Sequence, residues 1–311
     1  MGILKYFAEG DHNRKILKAA VGLVRSISED NIPDGVTLIY DKRNKLYSLQ
    51  IDQVEYVIKS FKVPIFVQRI VYTFIRPSKA IRSFRNSLRL YQLHIDNPQP
   101  IGAAIEYSGG LLSKSYYLSE KLDDTEDIRS LMDGSLHDPE LLKMVVHFIV
   151  TLHLKGVLHI DLSPGNILKS NCVRGHFFLV DLNRMKFFDS PLNEEMSYQN
   201  LARISDSYEV TNLLAEYYAI ERGFDPQHAI KRIQKYSDAF FSRKAFSFAR
   251  RQLKKEGLKN VRFFIYKYRL TRCLRKLLGS QSLYQAERNL YFRYIKCGDI
   301  RGAILRTESY E

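Results

Sequence analysis

With 311 residues, 45% of them hydrophobic and 26% charged, the chain has the make-up of a soluble globular protein with a sizeable core. Cys172, Cys273 and Cys297 are odd in number and far apart, which supports neither a disulfide framework nor a zinc ribbon and fits a reducing compartment. No apolar run reaches the roughly 18 residues of a membrane span, the first residues lack a secretory layout, and the net charge of +14 is concentrated from Arg222 onward, where 22 Lys/Arg stand against 7 Asp/Glu. Such a basic stretch calls for an anionic partner: a membrane surface, a negatively charged substrate or nucleic acid.

Residues 1–30 read as one or two short helices, with Ile16, Leu17, Ala20, Leu23 and Val24 at helical spacing. Three strand-like runs follow, Val36 to Tyr40, Leu46 to Ile51 and Tyr56 to Phe61, the first two joined by a turn at Asp41-Lys42-Arg43-Asn44. Pro77-Ser78 opens a helix from about Lys79 to Leu93, with Arg82, Arg85 and Arg89 on one face. Ile101 to Tyr107 and Ser115 to Leu118 form a second hairpin around Gly109-Gly110. The glycines there faintly resemble a phosphate loop, but they lack the glycine before the lysine and the strand-to-helix setting, so they read as a hairpin turn. Glu120-Lys121-Leu122-Asp123-Asp124 crosses to a helical part, and Glu120 and Leu122 are candidate nucleotide contacts there. Asp138-Pro139-Glu140 starts a helix that runs to about His153. Another helix spans roughly Ser207 to Arg222, and basic helix follows. Within it, Val261 to Leu278 sets Arg262, Arg269, Arg272 and Lys276 on one arc and Phe263, Tyr266, Leu270, Cys273 and Leu277 on another, a pattern suited to packing on the protein, to anionic lipid or to phosphates.

The expected fold is α+β and two-lobed. A helical extension (1–30) precedes a small β-rich lobe (31–122) and a larger helical lobe with a basic C-terminal part (123–311).

The chemistry lies in His159-Ile160-Asp161-Leu162-Ser163-Pro164-Gly165-Asn166 and Phe177-Phe178-Leu179-Val180-Asp181-Leu182-Asn183. Asp161 is the candidate base that orients a hydroxyl nucleophile. Asn166, five residues on, and Asp181, fifteen beyond that, are candidate Mg²⁺ ligands on a nucleoside triphosphate. His159 would brace the loop. Lys59, in Tyr56-Val57-Ile58-Lys59, lies on a strand about 100 residues before Asp161 and is the candidate for the α and β phosphates. Phosphoryl transfer needs positioning and charge stabilisation more than covalent help, so a few such side chains at this spacing suffice.

From about Gly35 to His228 the chain resembles the lipopolysaccharide-core kinases, the Kdo/heptose kinase group, and looks closest to their Bacteroides-type members. The resemblance rests on Tyr56-Val57-Ile58-Lys59-Ser60-Phe61-Lys62, Pro77-Ser78-Lys79-Ala80, Gly109-Gly110-Leu111-Leu112, His159 to Leu168 and Val180 to Met185. It implies a protein-kinase-like fold and ATP- and Mg²⁺-dependent phosphorylation of a sugar hydroxyl of the glycolipid inner core. It also implies a peripheral place on the cytoplasmic face of the inner membrane.

Several positions depart from the general kinase pattern. No G-x-G-x-x-G loop is present, and Arg43 or Lys42 is the candidate to replace its amides as phosphate ligand. The residues from Lys79 to Leu93 include no acid to pair with Lys59, which leaves Asp181 or an unplaced carboxylate to orient it. Asn183 stands where kinases have glycine, and asparagine tolerates the positive φ of that turn. Ser163 and Gly165 occupy the positions that mark protein kinases with lysine or arginine. After Asp181 no A-P-E occurs and about 25 residues precede the next helix, a small platform for a peptide. A sugar within an anionic glycolipid is therefore the favoured acceptor. The alternatives are a kinase for another small molecule or a protein, and a non-catalytic scaffold for an anionic partner. Nucleic acid is disfavoured, since no recognised binding module is visible.

Overall fold

The structure is a computed structural model that describes residues 3–28, 31–41 and 44–255. It divides into two compact units. The first comprises the described residues up to 126 and residues 166–186; the second comprises 127–165 and the described residues from 187.

In chain order the first unit begins with β1 (Ile3–Ala8), α1 (Gly10–Ser26), β2 (Val36–Asp41), β3 (Lys45–Ile51) and β4 (Val54–Phe61). It continues with α2 (Phe66–Phe74), α3 (Lys79–Gln92), β5 (Pro100–Ser108) and β6 (Leu111–Glu120). Six strands form one antiparallel sheet in the order β1-β5-β6-β4-β3-β2. The helix expected over the first residues is a strand instead up to Ala8. Leu4, Tyr6 and Ala8 alternate towards the core, so the period is two, and β1 pairs with β5 along its length, Ile3 opposite Tyr107 and Ala8 opposite Gly102. The helical pattern begins only at Gly10. Residues 3–26 are thus built into the sheet and its core, and Lys59 lies on the fourth strand rather than the third.

One face of the sheet is covered by α1, which buries Ile16, Leu17, Ala20, Val21 and Val24 against Leu49, Tyr56, Ile58 and Leu118. These positions recur at the spacing that brings side chains onto one helical face, and each large one is worth about 1.5–3 kcal/mol on burial. A second cluster gathers Phe61, Ala80, Ile81, Phe84, Ala103, Ile105 and Leu112 under α3. The Ser78 hydroxyl caps α3 by accepting from the Ile81 amide at 3.2 Å. Gly109 and Gly110 both have positive φ and turn β5 into β6, as a hairpin requires.

A short β7 (Thr125–Asp127) follows, then α4 (Arg129–Met132), α5 (Pro139–Leu154) and β8 (Val157–His159). Next come β9 (Ile167–Ser170), β10 (Phe177–Leu179) and β11 (Met185–Phe187). The β9–β10 hairpin belongs to the first unit. The described chain ends with α6 (Glu194–Leu201), α7 (Tyr208–Arg222) and α8 (Pro226–Lys255). Because α6 starts at Glu194, capped by Asn193, the gap after Asp181 is shorter than the sequence pattern indicates. Asp138 accepts from the Leu141 amide at 2.9 Å at the start of α5, which buries eight residues from Leu141 to His153. Arg43 and the basic arc from Arg262 to Lys276 lie outside the described residues.

Candidate functional site

Lys59, Asn166 and Asp181 all belong to the first unit. Lys59 projects from β4, opposite Leu46 of β3 and Tyr117 of β6 in register. Its Nζ donates to Asp181 Oδ1 at 2.6 Å. Of the alternatives left open by the acid-free α3, the structure shows Asp181 as the partner of this lysine. Asn183 Nδ2 donates to the same Oδ1 at 2.6 Å.

Asp181 itself has φ +57°, so the strained left-handed residue of the turn is the aspartate and not Asn183. Aspartate is among the few residues that visit this region at low cost. Two backbone contacts hold it there. The Val180 amide donates to the Asn166 carbonyl at 3.0 Å, which sets Asn166 beside the turn. From α3, Asn86 Nδ2 donates to the Leu182 carbonyl at 2.6 Å.

On α3, Arg82 is half-buried. Burial holds its guanidinium below the usual arginine range, and the nearby positive charges of Arg76 and Arg184 push the same way. A guanidinium held so close to two other cations disfavours a further cation beside it and favours an anion.

Asp161 and His159 belong to the second unit. His159 is 1% exposed at the end of β8, and its carbonyl accepts from Asn200 Nδ2 at 2.9 Å. Arg203 Nη1 donates to the Ile160 carbonyl at 2.7 Å and lies 3.3 Å from Asp161 Oδ1. The Asp161 side chain is 34% exposed, so the carboxylate is braced on one side and open to solvent.

Behind the loop runs a buried relay. Arg222 Nη1 donates to the Tyr218 hydroxyl at 2.6 Å, and that hydroxyl meets His153 Nδ1 at 2.8 Å. His153 Nε2 meets Asn200 Oδ1 at 3.0 Å. Since the amide oxygen only accepts, Nε2 carries the proton and Nδ1 accepts from Tyr218. Burial pushes the His153 pKa down to about 4; the Asn200 hydrogen bond opposes this and the Arg222 charge adds to it.

Glu120 ends β6, its amide donating to the Gln99 carbonyl at 2.9 Å, while Lys121 donates to the Glu55 carbonyl at 2.9 Å and Leu122 is half-buried. Asn86, Asn200 and Arg203 are the supporting residues that the motifs do not announce. Each stands tens of residues from the group it holds, with no local pattern to mark it.

The oxygen donors suit a hard cation. Asp181 offers a carboxylate with 37% of its side chain exposed, Asn166 offers an amide oxygen, and Mg²⁺ takes only one or two carboxylates when phosphates and water complete its shell.

A family model described as the lipopolysaccharide kinase (Kdo/WaaP) family matches residues 41–228. The 3-deoxy-D-manno-octulosonic acid kinase of Pasteurella multocida is 31% identical over 158 residues, 49% of this chain and 64% of that protein. Its counterpart from Mannheimia succiniciproducens is 26% identical over 138 residues, 43% of this chain and 57% of the relative. The chain therefore spans about three fifths of the length of these curated relatives. A solved structure, WaaP in complex with acyl carrier protein, aligns with a TM-score of 0.49 and 14% identity over 76% of this chain and 98% of that one. The family match takes in Lys59, His159, Asp161, Asn166 and Asp181, and with it over more than half of its length the chain belongs to the lipopolysaccharide kinase (Kdo/WaaP) family.

Proposed function

We propose that the chain is an ATP- and Mg²⁺-dependent kinase that phosphorylates a sugar hydroxyl, of Kdo or heptose, in the lipopolysaccharide inner core. The observation that carries this reading is the Lys59–Asp181 pair beside Asn166, in a member of this family. Lys59 binds the α and β phosphates, exchanging Asp181 for them. Asn166 and Asp181 would hold the metal, which would supply neutralisation of the triphosphate charge. Arg43 serves as a further phosphate ligand, and Glu120 and Leu122 contact the nucleotide.

Asp161 accepts the proton of the sugar hydroxyl as that oxygen bonds to the γ-phosphorus. The bond to the β–γ bridging oxygen breaks and ADP leaves. Arg203 and the His159 loop keep the carboxylate aimed. General-base assistance of this kind is worth about 10²–10⁴ in rate. The basic face of α3, with Arg82, suits an acceptor that is itself anionic. Such an acceptor sits in the cytoplasmic leaflet of the inner membrane, so the enzyme works there as a peripheral protein.

The test is mass spectrometry of purified core glycolipid after incubation with ATP and Mg²⁺. A gain of one phosphate that disappears in Asp161→Asn, with nucleotide binding retained, is the expected result. No gain on glycolipid beside a gain on a metabolite or protein would reassign the acceptor. No transfer to anything and no Mg²⁺-dependent nucleotide binding would leave a scaffold.

A further inference from the structure

Helix α2 is built inside out. Arg69 and Thr73 bond to the protein: Arg69 Nε donates to the Leu112 carbonyl at 2.7 Å and Nη2 to the Ser108 carbonyl at 3.1 Å. Thr73 Oγ1 accepts from the Leu112 amide at 2.9 Å, and Tyr72 packs against the cluster under α3. Most of the apolar residues face outward, Val71 being half-buried. Phe66 is 65% exposed, Val67 66%, Ile70 37% and Phe74 73%, and the flanking Ile65 and Ile75 are 68% and 76% exposed. Phe66, Ile70 and Phe74 follow one another at i, i+4 and i+8, so they form one stripe, and no residue of the helix is buried. Single exposed apolar residues are ordinary; a contiguous stripe of large ones marks a surface meant to be covered.

The surrounding charge selects the cover. From Lys62 to Ile95 the sequence has seven Lys/Arg and no Asp or Glu. Exposed Lys62 and Arg76 bracket the stripe. A second copy of this chain would bring the same positive charge to the contact. An anionic bilayer offers both an apolar interior and negative headgroups. The helix is nine residues long, and among the described residues no helix is long and apolar enough to cross a membrane. An amphipathic element of this kind lies in the interface plane with its apolar side sunk among the acyl chains and its cations at headgroup level.

We propose that α2 is a bilayer-docking helix, inserting Phe66, Ile70 and Phe74 into an anionic leaflet while Arg69 and Thr73 tether it to the β5–β6 hairpin. The proposal rests on the glycolipid-kinase reading for its purpose, since docking brings the enzyme to an acceptor held in a membrane. Its physical basis stands apart from catalysis.

The test is co-sedimentation of the full chain with vesicles of phosphatidylethanolamine and phosphatidylglycerol, without nucleotide. The double variant Phe66→Ser, Phe74→Ser should bind vesicles at least about tenfold more weakly, since each phenylalanine withdraws apolar area from water. Its thermal unfolding should be unchanged, because both side chains are already in solvent, and vesicles of neutral lipid should bind the parent chain less. Vesicle binding equal in parent and variant would overturn the proposal. So would a parent that ignores vesicles but loses self-association, or loses capture of an acidic protein, in the variant. Phosphorylation assays separate this from the kinase reading. The variant should lose transfer to vesicle-embedded glycolipid and keep transfer to delipidated core oligosaccharide. If neither acceptor is phosphorylated while vesicle binding still depends on the two phenylalanines, the kinase reading falls and the docking helix stands.

Discussion

Replacing His153 by glutamine should flatten the acid side of the stability profile. The imidazole is fully buried between Tyr218 and Asn200, and its pKa lies near 4 against an ordinary 6.5. The unfolded chain therefore takes up a proton below pH 6.5 that the folded chain refuses until about pH 4. The neutral ring's contribution is complete above about pH 6.5 and is lost as the pH falls towards 4. Linkage over that gap gives about 3 kcal/mol in full, of which about 2 kcal/mol is already gone at pH 5. Urea unfolding of the parent and of His153→Gln at pH 7.5 and pH 5 measures it. Every other titrating group contributes equally to both proteins, so the parent should lose about 2 kcal/mol more than the variant on acidification. Parallel losses would mean that the histidine is charged in the folded state or reached by water, and the assigned direction of the relay would fail. The effect reaches the loop because Asn200 bonds both the imidazole and the His159 carbonyl.

Three other outcomes are expected. Lys59→Met should abolish the Mg²⁺-dependent thermal stabilisation by ATP, which for the parent at a hundredfold excess over Kd is worth about 2.7 kcal/mol; scanning fluorimetry with and without the metal reads it. Gly156→Ala should cost about 3 kcal/mol or more, or prevent folding, because a Cβ there would lie 2.1 Å from the Phe188 carbonyl oxygen at a φ of +69°; chemical denaturation measures it. Arg203→Met should lower kcat about tenfold through a loosened Asp161, leave the KM for ATP unchanged, and be partly rescued by Arg203→Lys in steady-state assays.

Much of the fold was legible because the signals were local. Asp138-Pro139 and Ser78 open the helices that the sequence pattern assigns to them, and β2 to β6 lie where alternation and turn residues put them. The β1 strand was not, because Leu4, Tyr6 and Ala8 form too short an alternation beside a strong helical pattern. Helix α2 escaped for a related reason: nine mostly apolar residues between two prolines fit a strand as well as a helix, and only the contacts of Arg69 and Thr73 settle its orientation. The missing acid on α3 left Asp181 as one of two alternatives for orienting Lys59, and the contact between them selects it. Arg203, Asn200 and Asn86 could not be read, since their meaning depends on chain segments 41 to 96 residues away. The positive φ fell two residues before the position that the asparagine suggested.

In protein kinases the salt link between the strand lysine and the helix glutamate is what regulation makes and breaks, by swinging that helix in or out. Here the lysine's counter-charge sits two residues before Asn183 in the turn, and Asn86 of α3 grips only backbone. Rotating α3 would leave no such bridge to sever. Held by the turn and not by the helix, the lysine would keep its counter-charge through any such swing of α3.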